Sequence, residues 1–320
     1  MTRPASSAYP EIPYTSWSDT LATLHRFAQV VGKIRLAAGP RRNHWWNVPF
    51  HLTGRGITTR PMGEDPIFAI DFDFLDHRLD ITAVSGLRHA FPLVGRSVAG
   101  FTAELTRGLD AVGVDVAIEH PRPFDLPDAA RPFAEDTEHV TYDPAAATRY
   151  WRVLSRVNLI LEEFAGRWSG KTSPVHHFWH SFDIAVTRFG DGHVEHPPTT
   201  DPVTREAYSR ELLSFGFWFG DESFPEPAFY SYTVPEPDGL ADEPLQPAPA
   251  RWTERNGSRL AVLRYDDARA LPDPRAAVLD FYESAYRAGV RRAGWDLERH
   301  DSVGGATDPY AWGPGGQAPG

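Results

Sequence analysis

Between Gly170 and Gly192 the chain reads GKTSPVHHFWHSFDIAVTRFGDG, which places His176, His177 and His180 within five residues. Imidazole exchanges protons near neutral pH and ligates metals through either ring nitrogen. A stretch this dense in it points to acid/base work or to a metal site. Read as one strand, it puts His177, Trp179, Ser181 and Asp183 on one face and His176, Phe178, His180, Phe182 and Ile184 on the other. The first face then offers His177 with Ser181 and Asp183 as a polar set. His176 and His180 are spaced i, i+4, but the residues after them do not read as a helix. No glutamate follows His176 in the HExxH manner, so the zinc-protease reading fails. The plain alternative is that each histidine ends a strand or hydrogen-bonds a backbone carbonyl.

Three other groups could do chemistry. In NHWWNVPFHLTGRG, His44 and Trp46 stand in the same relation as His177 and Trp179. In FDFLDHRLD, Asp71 and Asp73 share the polar face of an alternating strand, and Asp76 precedes His77 near a turn, where a carboxylate could orient the ring as a base. In TREAYSRELLSFGFWFG, Glu206 and Tyr208 precede a strand that carries Trp218, and AFYSYTV adds Tyr230 and Tyr232. Glu206 is a candidate third ligand beside His44 and His176, and His177 and His180 are reserve ligands. Tryptophans and tyrosines would wall a substrate. Only two lysines occur, Lys33 and Lys171, each after a glycine. Each pair would close a helix, the lysine meeting the helix dipole. Lys171 or Arg188 would otherwise bind an anionic group, or Lys171 form a Schiff base.

The elements that must position these groups follow from periodicity and caps. A helix is expected from about Ser18 to Leu36, with Leu21, Leu24, Ala28 and Val31 on one stripe. A second opens at Asp143-Pro144 and turns Trp151, Leu154, Leu161, Phe164 and Trp168 inward. Each is followed by Gly-Lys and a histidine-tryptophan stretch, so the chain looks duplicated. Alternation predicts strands at IFAIDFDF, HRLDITAV, VDVAIEH, LLSFGFWFG, AFYSYTV and SRLAVLRY, and Ser97 and Asp273 each open a helix. The expected fold is α+β with two similar halves, each a mainly antiparallel sheet flanked by an opening and a closing helix. The divisions are an N-terminal extension 1–15, a first half 16–120, a connection 121–143, a second half 144–300 and a disordered glycine- and proline-rich tail 301–320. A proline-rich segment at 235–250 interrupts the second half as a lid or a surface excursion.

Composition bounds the function. A chain of 320 residues with 41% hydrophobic content builds one large core or two ordinary ones. A net charge of -11 without any long basic run argues against nucleic acid. The absence of cysteine removes disulfides, thiolate metal sites and thiol nucleophiles. No apolar run reaches the roughly 18 residues of a membrane span and no signal peptide opens the chain, so a cytoplasmic protein without membrane partners is expected. No GxGxxG, Walker A, GxSxG or kinase signature occurs, so no nucleotide or nicotinamide cofactor is expected.

The segments NHWWNVPFHLTGRGITT, FDFLDHRLDI, FAEDTEH with Tyr142, GKTSPVHHFWHSFDIAVTRF, TREAYS and AFYSYTVPEP resemble DUF5996, a bacterial family of unknown function, over about Pro10 to Trp295. The resemblance implies no activity. His44, Asp73, His77, His176, Asp183, Arg188, Glu206 and Tyr208 match its pattern, whereas His51, His177 and His180 depart from it. The functional expectation is an enzyme acting on a small organic molecule, in specialised metabolism, at a histidine/carboxylate site between the two halves. That site would work by acid/base chemistry or hold one divalent metal, using His44, His77, His176, Asp183, Glu206, Arg188 and Lys171 with Trp46 and Trp179. The alternative is a binding or sensing protein with an aromatic-lined cavity.

Overall fold

The computed structural model describes residues 8–255, 257–296 and 300–307, a mixed α/β fold with two antiparallel sheets, of five and six strands, and six α-helices among those residues. The chain divides into two compact units. The first takes residues up to Arg156 together with His176–Ile184 and Phe219–Pro227, and the second takes Val157–Val175, Ala185–Trp218 and the residues from Ala228 on.

In the first unit, helix α1 (Ser18–Ala38) buries Leu21, Leu24, Ala28 and Val31, and the same stripe continues to a buried Arg35. The Gly32-Lys33 pair lies inside α1 and does not close it. A Cβ at Gly32 would stand 2.2 Å from Cγ of Trp179, so only glycine lets that indole lie against the helix. Strands β1 (His51–Leu52), β2 (Gly56–Thr58), β3 (Phe68–Asp73), β4 (Arg78–Ala83) and β5 (Arg88–Pro92) pair in sequence order. Phe68, Ile70 and Phe72 of β3 are buried, as alternation requires. Helix α2 (Val98–Ala111) is capped by Ser97, whose hydroxyl accepts the Gly100 N–H at 3.1 Å, and its Phe101 stacks on Phe27 at 4.1 Å. The segment VDVAIEH forms no strand.

Helix α3 (Pro144–Ala165) starts at Asp143, whose carboxylate accepts the Ala145 N–H at 2.9 Å. After it come β6 (His176–His177), β7 (Ile184–His193), α4 (Pro202–Ala207), β8 (Arg210–Trp218), β9 (Ala228–Val234), β10 (Arg251–Arg255), β11 (Ser258–Arg264), α5 (Tyr265–Arg269) and α6 (Pro274–Ala293). The second sheet has the order β10-β11-β9-β8-β7-β6. Helix α6 begins at Asp273, which accepts the Ala276 N–H, and its Tyr282 hydroxyl donates to the Gly216 carbonyl of β8 at 3.0 Å.

The two histidine stretches also differ from expectation. The stretch from His176 to Ile184 is not one strand: β6 ends at His177, the chain turns with Phe182 at φ 58°, and Phe178 N–H donates to the Asp183 carbonyl at 2.9 Å. The face shared by His177, Ser181 and Asp183 therefore does not exist. Second, the residues that align as repeats differ in conformation, since His44 lies in a 3-10 turn at φ 54° and His177 lies in a strand. In chain order, each sheet's strands follow one helix and precede another, α1 and α2 for the first sheet and α3 and α6 for the second.

The proline-rich segment 235–250 is held in place. Its Glu243 is 7% exposed and pairs with Arg291 and Arg292 of α6, while its carbonyl accepts Trp252 Nε1 at 2.9 Å. At the expected start of the tail, Asp301 accepts the Tyr286 hydroxyl at 2.7 Å. The remainder of that tail, 308–320, and the first seven residues of the N-terminal extension lie outside the described residues.

Candidate functional site

Strand pairing sets the geometry of the first unit's histidines. Phe50 and His177 exchange backbone hydrogen bonds of 2.8 and 3.0 Å, and this antiparallel register puts His51 opposite His176. Alternation sends the two pairs to opposite faces. On the inner face, His177 Nε2 lies 2.6 Å from the Tyr150 hydroxyl, and burial holds the ring down at about 3. His177 is thus a core histidine.

On the other face, the His51 and His176 rings meet edge to face with centroids 5.2 Å apart. Trp46 lies 6.2 Å from His176 and 5.5 Å from His44, so His44, Trp46, His51 and His176 form one chain of rings. The turn that delivers His44 and Trp46 is strained: His44 and Trp45 both have positive φ, 54° and 58°. A non-glycine residue there costs on the order of 1 kcal/mol or more, and such strain concentrates at functional sites.

The Nε2 atoms of both His51 and His176 are buried without a hydrogen-bond partner, and so are Nε and Nη1 of Arg35. Leaving a buried donor or acceptor unpaired costs roughly 1–3 kcal/mol. Burial pushes the His51 ring down to about 3, with Arg60, Arg35 and Arg42 adding to it. His176 is driven well below the ordinary imidazole value by burial, then by His51 and the same three arginines. Burial, Arg60 and Arg42 bring Arg35 down to about 10. Both rings are neutral at physiological pH and Arg35 stays charged. The charges that act on both rings are positive, which suits a proton-transfer or anion-binding group better than a cation.

The other expected residues of this unit have structural partners. His77 occupies the β3–β4 turn at φ 50°, with Nδ1 3.1 Å from the Tyr142 hydroxyl, while Asp76 pairs with Arg55 at 2.8 Å and Arg78 at 3.7 Å. The partner at His77 Nδ1 is a tyrosine hydroxyl and not the expected carboxylate. Trp179 is buried on α1 and donates Nε1 to the Val48 carbonyl at 3.1 Å, which makes it packing and not a substrate wall. Asp183 accepts the Ser181 hydroxyl and acts on His180, whose pKa burial lowers.

In the second unit, Arg188 is 1% exposed, its guanidinium 3.8 Å from the Phe164 ring and 4.4 Å from the Tyr286 ring, with Nη2 donating to the Phe164 carbonyl. It is a core residue and not an anion binder on the surface. Lys171 is exposed beside Phe189, at 5.1 Å from the ring; burial and Arg210 lower its pKa and Glu206 opposes them. Its Gly-Lys pair follows α3 by several residues and does not cap it. The aromatic candidates do converge with one another: Tyr208 and Tyr232 hydroxyls are 3.2 Å apart, Tyr230 stacks on Tyr232 at 6.1 Å, and Trp218 lies 5.6 Å from Tyr230. A separate cleft of about 180 Å³ is lined by Glu211, Thr233, Pro235, Glu236 and Trp295, none of them expected.

Among the described residues, one set of three groups has ligand atoms close enough for a metal, Asp128, Asp136 and His139. It contains none of His44, His176, His177, His180 or Glu206. A cation is already present there, since Arg26 Nε lies 3.2 Å from Asp128 and 3.7 Å from Asp136.

Sequence reasoning missed Arg35, Arg42 and Arg60 and set His51 aside. One signal was present: Arg35 continues the apolar series 21, 24, 28, 31 of α1, and an arginine at a core position needs a reason.

The chain belongs to DUF5996, a family of unknown function, whose model matches residues 9–302. No curated protein and no solved structure matches it. No described helix is long and apolar enough to cross a membrane.

Proposed function

We propose that the chain is an enzyme acting on a small organic molecule at the chamber of His44, Trp46, His51 and His176, with His176 taking and returning the proton. The observation that carries this reading is the pair of buried Nε2 atoms on His51 and His176 that no protein group satisfies. A native fold tolerates such atoms where a ligand completes them. The positive charges that act on the two rings help to make them weak bases, and a substrate that offsets this charge restores their basicity. Trp46 supplies the wall. The reading uses residues of the first unit alone, with no Glu206 or metal in the step.

A second reading, binding without turnover, is favoured by the depth of the His51 shift, to about 3, which suits a neutral donor more than a base. Both are tested by incubating the protein with a metabolite extract and following its components by mass spectrometry, beside His176→Asn. Consumption of a compound by the native protein and not by the variant is expected. A compound retained and recovered unchanged would establish the second reading, and equal consumption by the variant would remove His176 from the chemistry.

A further inference from the structure

Resting on that placement of the site, we propose that the chamber binds a small oxyanion, the carboxylate or phosphate group of its ligand, through Arg35 and the Nε2 atoms of His51 and His176. Three arginines are buried among the described residues, and they differ in what meets them. Arg26 pairs with Asp128, and Arg188, whose Nε also lacks a hydrogen-bond partner, lies on aromatic rings and donates Nη2 to the Phe164 carbonyl. Arg35, 4% exposed, has Nε and Nη1 with no partner at all. A guanidinium keeps its charge in any protein environment, so it is stable inside only where an anion or acceptors complete it.

The groups around it agree on the sign. The charges acting on both imidazoles are those of Arg60, Arg35 and Arg42. A divalent metal would add to that potential, whereas an anion cancels it. The two rings are 3% and 1% exposed. Each neutral ring can present Nε2–H as a donor. Arg42 and Arg60 are exposed at the surface, where they draw an anion inward against the overall charge of -11.

The probes are inorganic phosphate, sulfate and acetate, each titrated into the full chain against chloride at equal ionic strength, with heat of binding and Tm as readouts. One oxyanion is expected to raise Tm by about 3 °C or more at millimolar concentration. Phosphate acting alone marks a phosphate-bearing ligand, and acetate alone a carboxylate. Arg35→Met, similar in length but uncharged, is expected to keep or raise the Tm without anions and to abolish the shift. An Arg35 held by protein partners would instead lose stability on that change. If Arg35→Met does not fold, the double variant Arg42→Met/Arg60→Met carries the test, with binding weakened about tenfold or more. The proposal is overturned if no oxyanion outperforms chloride, if the shift survives Arg35→Met, or if the double variant binds as tightly as the native protein. Oxyanion binding that persists when no compound is consumed or retained sinks the reading of function above and leaves the anion site standing. Consumption that depends on His176 and that no oxyanion competes with does the reverse.

Discussion

His51 and His176 face each other across an antiparallel pair, their ring centroids 5.2 Å apart and each Nε2 without a partner. The cause is register. Phe50 and His177 take the hydrogen-bonded positions and turn inward, which leaves the next pair on the opposite face beside Trp46. One residue's slip along β6 would exchange the roles of the two adjacent histidines.

The buried histidines make stability depend on pH with a definite sign. Burial holds His25 at about 4 and His51 and His177 at about 3, below the ordinary 6.5 of an unfolded chain. Below pH 6.5 the unfolded chain binds protons that the folded one refuses. Their contribution is complete above 6.5 and is lost as pH falls toward 4 and 3, by about 1.4 kcal/mol per pH unit for each ring. Urea unfolding midpoints across this window should fall with pH, and His25→Gln should flatten the slope by one histidine's share. An unchanged slope would contradict the neutral burial of His25.

Tyr150→Phe removes the hydroxyl 2.6 Å from His177 Nε2, in a ring whose Nδ1 already lacks a partner. A loss of about 1–3 kcal/mol in unfolding free energy is expected. Ligand binding at the chamber should be unaffected, because His177 faces away from it.

Gly32→Ala should destabilise strongly, since the new methyl would overlap the Trp179 ring at 2.2 Å. A cost of at least 1–3 kcal/mol is expected from overpacking. Gly54→Ala, with nothing within 4 Å of its Cβ, is the control and should change little. Equal midpoints for the two would refute the close approach.

The segment 235–250 should resist proteolysis in the native protein and become a preferred cleavage site in Glu243→Ala, which frees Arg291 and Arg292. Equal digestion of both proteins would show that the ion pairs do not hold it.

Helix starts were legible because caps are local: Ser97, Asp143 and Asp273 each bond the first turn they precede. Strands β3, β8, β9 and β11 were legible because alternation or aromatic density survives in sequence. The turns at His44–Trp45 and Phe182 were not, since left-handed backbone on histidine, tryptophan and phenylalanine carries no glycine signal. His44, Trp46 and His176 were readable as candidates from residue type alone. Arg35 was not, because its importance lies in what fails to meet it across the fold, and a missing partner has no local sequence mark. The same reason hid the structural roles of His77, Trp179 and Arg188, whose partners Tyr142, Gly32 and Tyr286 are distant in sequence.

The most direct measurement is the ring nitrogen resonances of His51 and His176, in protein labelled at histidine and assigned with His51→Gln and His176→Asn, followed near pH 7 while inorganic phosphate or acetate is added. The account predicts two neutral rings before addition, movement of both Nε2 signals with one of the anions, and no movement in Arg35→Met. Two rings already charged without anion, or Nε2 signals that stay still while an anion binds, would contradict it.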